Sequence, residues 1–321
     1  MHGEFAFPPV ENGVDYLRSV VEHLSGDPTE RDLKYAVLHL QAATEVLLKV
    51  RLSREHWSLI FKHPDKATHA AYVSGDFISI GMEETLARLK GIAGVELSQS
   101  TTASFAKLAK ERNKLQHFGL ESPAFAAIEG MVGTVLDALV LFMAQHLRPG
   151  SDGEEDDIYL DALQIIREEI TRIGALTAAR TARIAPALNA KTCPVVKCPE
   201  CLQFALPLED DSQCMFCGHS WRPTQMASEY ASEVLGISWR DFVDGASDAV
   251  VSCPECDSET AVYGVTTRAE PNRPLWACFG CQVTFDREQV DSCLHCGRLI
   301  WAGEGEMTIC ASCFDNVVGS D

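Results

Sequence analysis

Basic charge is scarce in this chain: 27 Lys and Arg stand against 46 Asp and Glu, a net charge of −19 over 321 residues. A protein that grips nucleic acid along its whole surface needs the opposite balance, so any RNA contact must be confined to a local patch. Cysteine is missing from the first 192 residues, which restricts thiolate chemistry to the C-terminal part. No run of 18 apolar residues occurs, so no membrane span is expected. The start, MHGEFAFPPVENG, lacks a basic segment followed by an apolar stretch. No secretory signal is therefore expected, and the expected location is cytoplasmic.

What is present is a dense cysteine pattern. Twelve of the 13 cysteines form six Cys-x2-Cys pairs. Two thiolates two residues apart can grip one tetrahedral ion, whereas a disulfide framework has no reason for that spacing. The first unit is Cys198/Cys201, then Cys214/Cys217; the second is Cys253/Cys256, then Cys278/Cys281; the third is Cys293/Cys296, then Cys310/Cys313. Each unit suits a small β-rich zinc ribbon, and together they predict three structural Zn²⁺ sites with no open position for catalysis. Two pairings stay open: sequential ribbons, or a cross-brace joining the 253/256 pair with 293/296 and the 278/281 pair with 310/313. Cys193 is the odd cysteine and is expected as a free thiol. His219 and His295 lie near knuckles but are not expected to be ligands, since four sulfurs already complete each site.

The N-terminal part reads as an all-α helical bundle over residues 12–147. Pro28-Thr29-Glu30 opens a helix from about Thr29 to Arg54, with Leu33, Val37, Leu40, Thr44 and Leu47 on one buried stripe. Residues 57–81 read as a loop with little regular structure. Helices are expected near Glu83–Lys90 and Ser100–Gln116, the latter with Phe105, Leu108 and Leu115 on one face. A long apolar helix follows from Phe125 to Leu147, opened by Pro123 and closed by Pro149-Gly150. The stretch 151–157, SDGEEDD, reads as an acidic linker. A single helix from about Ile158 to Leu188 is expected next, with Leu160, Leu163, Ile166, Ile170 and Ile173 as its stripe. The expected organisation is a helical domain at 1–150, linker and connecting helix at 151–190, one ribbon at 191–222, a helical insert at 223–250 and two ribbons at 251–321. Charge divides unevenly: −7 over residues 1–190 and −12 over 191–321.

Two segments resemble the HEPN family (higher eukaryotes and prokaryotes nucleotide-binding). KYAVLHLQAATEVLLKVRL, residues 34–52, is similar to that fold's long second helix with its inner Glu, here Glu45. ERNKLQHFG, residues 111–119, is similar to the family's Arg-x4-6-His motif: Arg112, Asn113 and His117. Arg-x4-His also occurs at Arg18/His23 and Arg51/His56, but only the third copy has Asn after the Arg, sits among Lys107, Lys110 and Lys114, and precedes the long final helix.

The resemblance implies a metal-independent endoribonuclease of the kind found in toxin or antiphage defence, acting on an RNA substrate as a homodimer. In that scheme His117 moves the proton of a ribose 2′-hydroxyl, Arg112 stabilises the charged phosphorane, Asn113 orients the phosphate or the His, and Glu45 holds Arg112. Positions five apart on a helix point about 140° apart, so one motif makes an incomplete site and two facing copies make a composite one. One departure is Gly119, where some members carry a Tyr modified by a partner enzyme. The acidic ribbons fit a protein partner with a basic surface better than RNA. The competing expectation is a non-catalytic dimeric adaptor built on the same parts.

Overall fold

The computed structural model describes residues 7–117, 124–169, 171–209, 212–237, 249–303 and 308–318. Pro123, Gly119, Ile170 and the 238–248 part of the expected helical insert lie outside the described residues. The chain divides into two compact units, Met1–Ala182 and Arg183–Asp321.

The first unit is helical. Its elements are α1 (Pro9–Leu24), α2 (Glu30–Glu55), α3 (His69–Ser74), α4 (Met82–Gly91), α5 (Gln99–His117), α6 (Phe125–Phe142), α7 (Gly153–Glu169) and the start of α8 (Gly174–Asn189). Thr29 begins α2 through a capping box: its hydroxyl accepts from the Asp32 N–H, and the Asp32 carboxylate accepts from the Thr29 N–H. Both orphan donors of the first turn are thereby satisfied. Leu33, Val37, Leu40, Thr44 and Leu47 are all buried, and α2 packs against α1, α4, α5 and α6. It is the central helix of the unit.

Residues 57–80 carry more structure than their composition suggests. Two single 3-10 turns and α3 form there: the first turn packs on α2, His69 and Tyr72 of α3 meet its Trp57, and Phe61 and Phe77 are stacked at 4.0 Å. From Phe125 to Leu147 the chain is long and apolar enough by composition to cross a membrane, yet Ile128, Val132, Val135, Leu136 and Leu139 are buried inside the helical unit.

The acidic stretch is not a linker. Glu154, Glu155 and Asp156 form the first turn of α7, where carboxylates complement the positive end of the helix dipole. Glu155 pairs with Arg54 of α2 at 2.7 Å, Asp156 with Arg148 at 3.0 Å, and Asp161 with Arg18 of α1. Those cations convert what would be a repelling run into a docked helix. The expected helix over 158–188 is also two helices, α7 and α8. Within α7 the buried stripe is Tyr159, Ala162 and Ile166, while Leu160 is exposed.

The seam between α6 and the first half of α8 is close and charged. A Cβ on Gly133 would lie 2.3 Å from the Ala175 carbonyl oxygen, so only glycine allows this approach. One turn on, Arg180 Nε donates to Asp137 Oδ1 at 2.6 Å, with both side chains buried. Removing Asp137 takes an ion-pair partner from a buried guanidinium. Asp137→Ala is therefore expected to lower unfolding stability by about 3–5 kcal/mol, measured by denaturant titration; a change below about 1 kcal/mol would show the pair to be dispensable.

Acid works against this unit. Burial first, and neighbouring His23 second, hold the His39 imidazole below its ordinary value; burial and Arg51 do the same for His146. The fold keeps both rings neutral, so the stability they allow is complete above about 6.5 and is lost as pH falls below it. The melting temperature is expected to be lower at about pH 5.5 than at about pH 7.5, and His39→Gln should narrow that gap. An equal gap in both proteins would rule out His39 as a contributor.

The second unit is small sheets between cysteine pairs. β1 (Val195–Lys197) and β2 (Phe204–Pro207) form one antiparallel hairpin. β3 (Val250–Ser252), β4 (Glu259–Val265), β5 (Leu275–Cys278) and β6 (Thr284–Phe285) form a four-stranded antiparallel sheet in chain order. β7 (Val290–Ser292) and β8 (Leu299–Trp301) make a last hairpin. α9 (Pro223–Glu229) packs on β4, and a π-turn continues it through Val234, where Tyr230 meets Phe279 at 5.2 Å. α10 (Ala311–Val318) closes the described chain.

Candidate metal centres and a candidate anion site

Four of the six cysteine knuckles join two short strands. The Cys198/Cys201 turn links β1 to β2, Cys253/Cys256 links β3 to β4, Cys278/Cys281 links β5 to β6, and Cys293/Cys296 links β7 to β8. After the second cysteine of five pairs the backbone turns left-handed. Leu202, Gly218, Asp257, Gln282 and Gly297 all have φ between 57° and 76°. Inside the knuckles, N–H groups face sulfur, as at Glu255 N to Cys253 Sγ (3.4 Å) and Cys281 N to Cys278 Sγ (3.4 Å). The sixth pair differs: Cys313 sits on the first turn of α10.

The structure brings the twelve sulfurs into three groups of four in sequential order, all within 4.8 Å of one another in each group. The cross-braced alternative is absent. Neighbouring sulfurs stand 3.7 Å apart for Cys198/Cys217 and Cys201/Cys214, 3.8 Å for Cys253/Cys281, and 3.7 Å for both Cys256/Cys278 and Cys296/Cys310. A disulfide would need about 2.05 Å. A tetrahedron with sulfur about 2.3 Å from a central Zn²⁺ has edges of about 3.8 Å, so the residues present fit a four-thiolate metal.

Electrostatics agree. Hydrogen bonding to Cys201 and its neighbours drives Cys198 far above the ordinary thiol range, while a hydrogen bond from Cys198 draws Cys214 far below it. Four crowded sulfurs share protons unevenly unless a cation neutralises them together.

Cys193 stands outside all three groups, with its thiol 3.8 Å from Glu209; burial and that carboxylate raise its pKa. His219 stacks on Trp221 at 4.2 Å and belongs to no sulfur group, nor does His295.

The second site lies on α5 and α2. Lys107, Lys110, Arg112 and Lys114 place four cations on α5 against one carboxylate, Glu111, a local reversal of the chain's charge. Glu111 takes Lys114 at 2.9 Å. Arg112 Nη1 donates to Asn113 Oδ1 at 3.0 Å and to Gln116 Oε1 at 2.9 Å, while its Nη2 lies 3.7 Å from Glu45 Oε2. Glu45 is shared: Lys49 reaches its Oε1 at 2.6 Å and also donates to Ser79 at 2.9 Å. Arg112 is partly exposed; Asn113 and His117 are exposed, His117 being the last residue of α5. No family model matches the chain. No curated protein and no solved structure matches it either.

Lys49 and Gln116 are the site's unforeseen members. Both stand four residues from a motif residue, Glu45 and Arg112, which is the spacing that places side chains together on one helix face. The other two Arg-x4-His pairs are engaged differently. Arg51 bonds Glu55 at 2.7 Å and His56 bonds Ser58 at 2.8 Å; Arg18 pairs with Asp161, and His23 Nδ1 lies 3.2 Å from Asp32 Oδ1.

Proposed function

We propose that this chain is a metal-independent endoribonuclease of HEPN type whose C-terminal unit holds three structural zinc ions. The observation that supports it most is the partly exposed guanidinium of Arg112, held by Asn113 and Gln116 of its own basic helix and by Glu45 of α2, with the exposed imidazole of His117 at the end of α5.

In the proposed reaction His117 takes the proton of a ribose 2′-hydroxyl. The freed oxygen attacks the adjacent phosphorus, and Arg112 lays its forked donors on the phosphorane oxygens. The P–O bond to the 5′-oxygen breaks, giving a 2′,3′-cyclic phosphate. The leaving 5′-oxygen takes a proton from a second imidazole, that of a facing copy, and Glu45 keeps Arg112 oriented. A homodimer is therefore part of the proposal.

The zinc ions have a folding role and take no part in this chemistry, since four sulfurs fill each coordination sphere. The acidic excess over residues 191–321 supports docking of a protein with a basic surface there, as partner or trigger.

The test is incubation of the purified chain with total RNA and EDTA beside the His117→Ala variant. Cleavage by the parent and none by the variant is expected. Equal cleavage by both would identify a contaminant, and none by either would favour the adaptor reading.

A further inference from the structure

Between α4 and α5 runs a cavity of about 930 Å³. Its size suits a ligand of nucleotide dimensions. Leu86 and Ala106 represent its apolar lining, and the lining also includes Asn113, the residue that accepts from the Arg112 guanidinium. Its charged lining is Lys90 and Lys110 with a single carboxylate, Glu83. Neither lysine has an ion pair or hydrogen bond among the described residues, so both ammonium groups are available to an anion. An apolar bed beside two unmatched cations, with the residue that accepts from the Arg112 guanidinium in the same lining, matches a flat apolar base joined to phosphate.

We infer that the α4–α5 groove binds the single-stranded RNA segment adjoining the cleaved bond, a base lying on Leu86 and Ala106 and its phosphates on Lys90 and Lys110. The inference rests on the ribonuclease reading and adds where the strand beside the cut lies: along α4 and α5, on residues outside the Arg112–His117 motif. Two lysine contacts to a single strand contribute about 1.4 to the slope of log affinity against log salt.

The test uses the full chain and a short 2′-O-methyl oligonucleotide bearing 4-thiouridine, which cannot be cut. Photocrosslinks are expected between Met82 and Asn113. The Lys90→Gln/Lys110→Gln double variant should bind about tenfold more weakly, with the salt slope reduced by about 1.4. Ala106→Trp, which fills the groove, should raise KM for RNA with little change in kcat or melting temperature. Crosslinks confined to other elements, or parental affinity in both variants, would overturn the groove. If those variants cut RNA normally while His117→Ala does not, the groove fails and the nuclease stands. Groove crosslinks in a chain that cuts no RNA would support the groove and remove the nuclease.

Discussion

Chelation of the purified chain is expected to expose twelve thiols in all: about one cysteine, Cys193, reacts with a thiol reagent before metal removal, and all 13 once every centre is emptied. The parent protein is expected to carry three equivalents of zinc, measured by elemental mass spectrometry. The magnitude follows from how little else holds the second unit together. Its strands are two to seven residues long, and hairpins of that length are marginal in water. Two of its small buried clusters are built largely from the ligands themselves, Cys253 and Cys278 with Ala261, and Cys293 with Cys310 and Cys313. Structural zinc contributes about 10–16 kcal/mol in comparable small domains, more than such a core can supply. The helical unit, whose core contains no cysteine, should keep its circular dichroism signal. A chain that purifies without metal yet keeps its twelve sulfurs unreactive would refute this account.

His117→Ala is expected to reduce RNA cleavage by about 10²–10⁴-fold, the usual contribution of a general acid or base. Arg112→Ala should lose about 10²–10³-fold through the missing donors to the phosphorane. Arg112→Lys should recover only part of that, because an ammonium keeps the charge and loses the planar fork. The stability cost should stay below about 1 kcal/mol for His117→Ala, since an exposed residue at a helix end has little packing to lose. Equal losses of activity and melting temperature would make His117 a structural residue.

Much of the architecture could be read from residue spacing. The α2 stripe from Leu33 to Leu47 is unambiguous because five positions at intervals of three and four are apolar or Thr, and Thr29 with Asp32 marks where the helix starts. The cysteine units were equally legible as metal knuckles. Their pairing was not, since each pair is chemically the same as any other; the short hairpins that bring 253/256 to 278/281 decide it. The acidic stretch before α7 misled for a physical reason. Composition alone cannot show that Arg54 and Arg148 stand opposite Glu155 and Asp156. In α7, Leu160 and Tyr159 both fit a helical repeat, and the large ring took the interior beside Arg54, leaving the leucine exposed. The Arg112 neighbourhood was legible through its local basic charge, whereas Lys49 and Gln116 became visible only once α2 and α5 were packed together.

The burial of the sulfurs differs among the three groups, and this sets an order of ion exchange. All four are covered in the first group, whereas Cys256 and Cys296 are exposed in the second and third. An incoming proton, chelator or softer ion such as cadmium meets its first accessible ligand at those two atoms. Because each ion closes only its own stretch of chain, release at one need not loosen the next. The unit should therefore lose metal in graded steps, the 198–217 centre being the slowest to exchange and the last to remain filled.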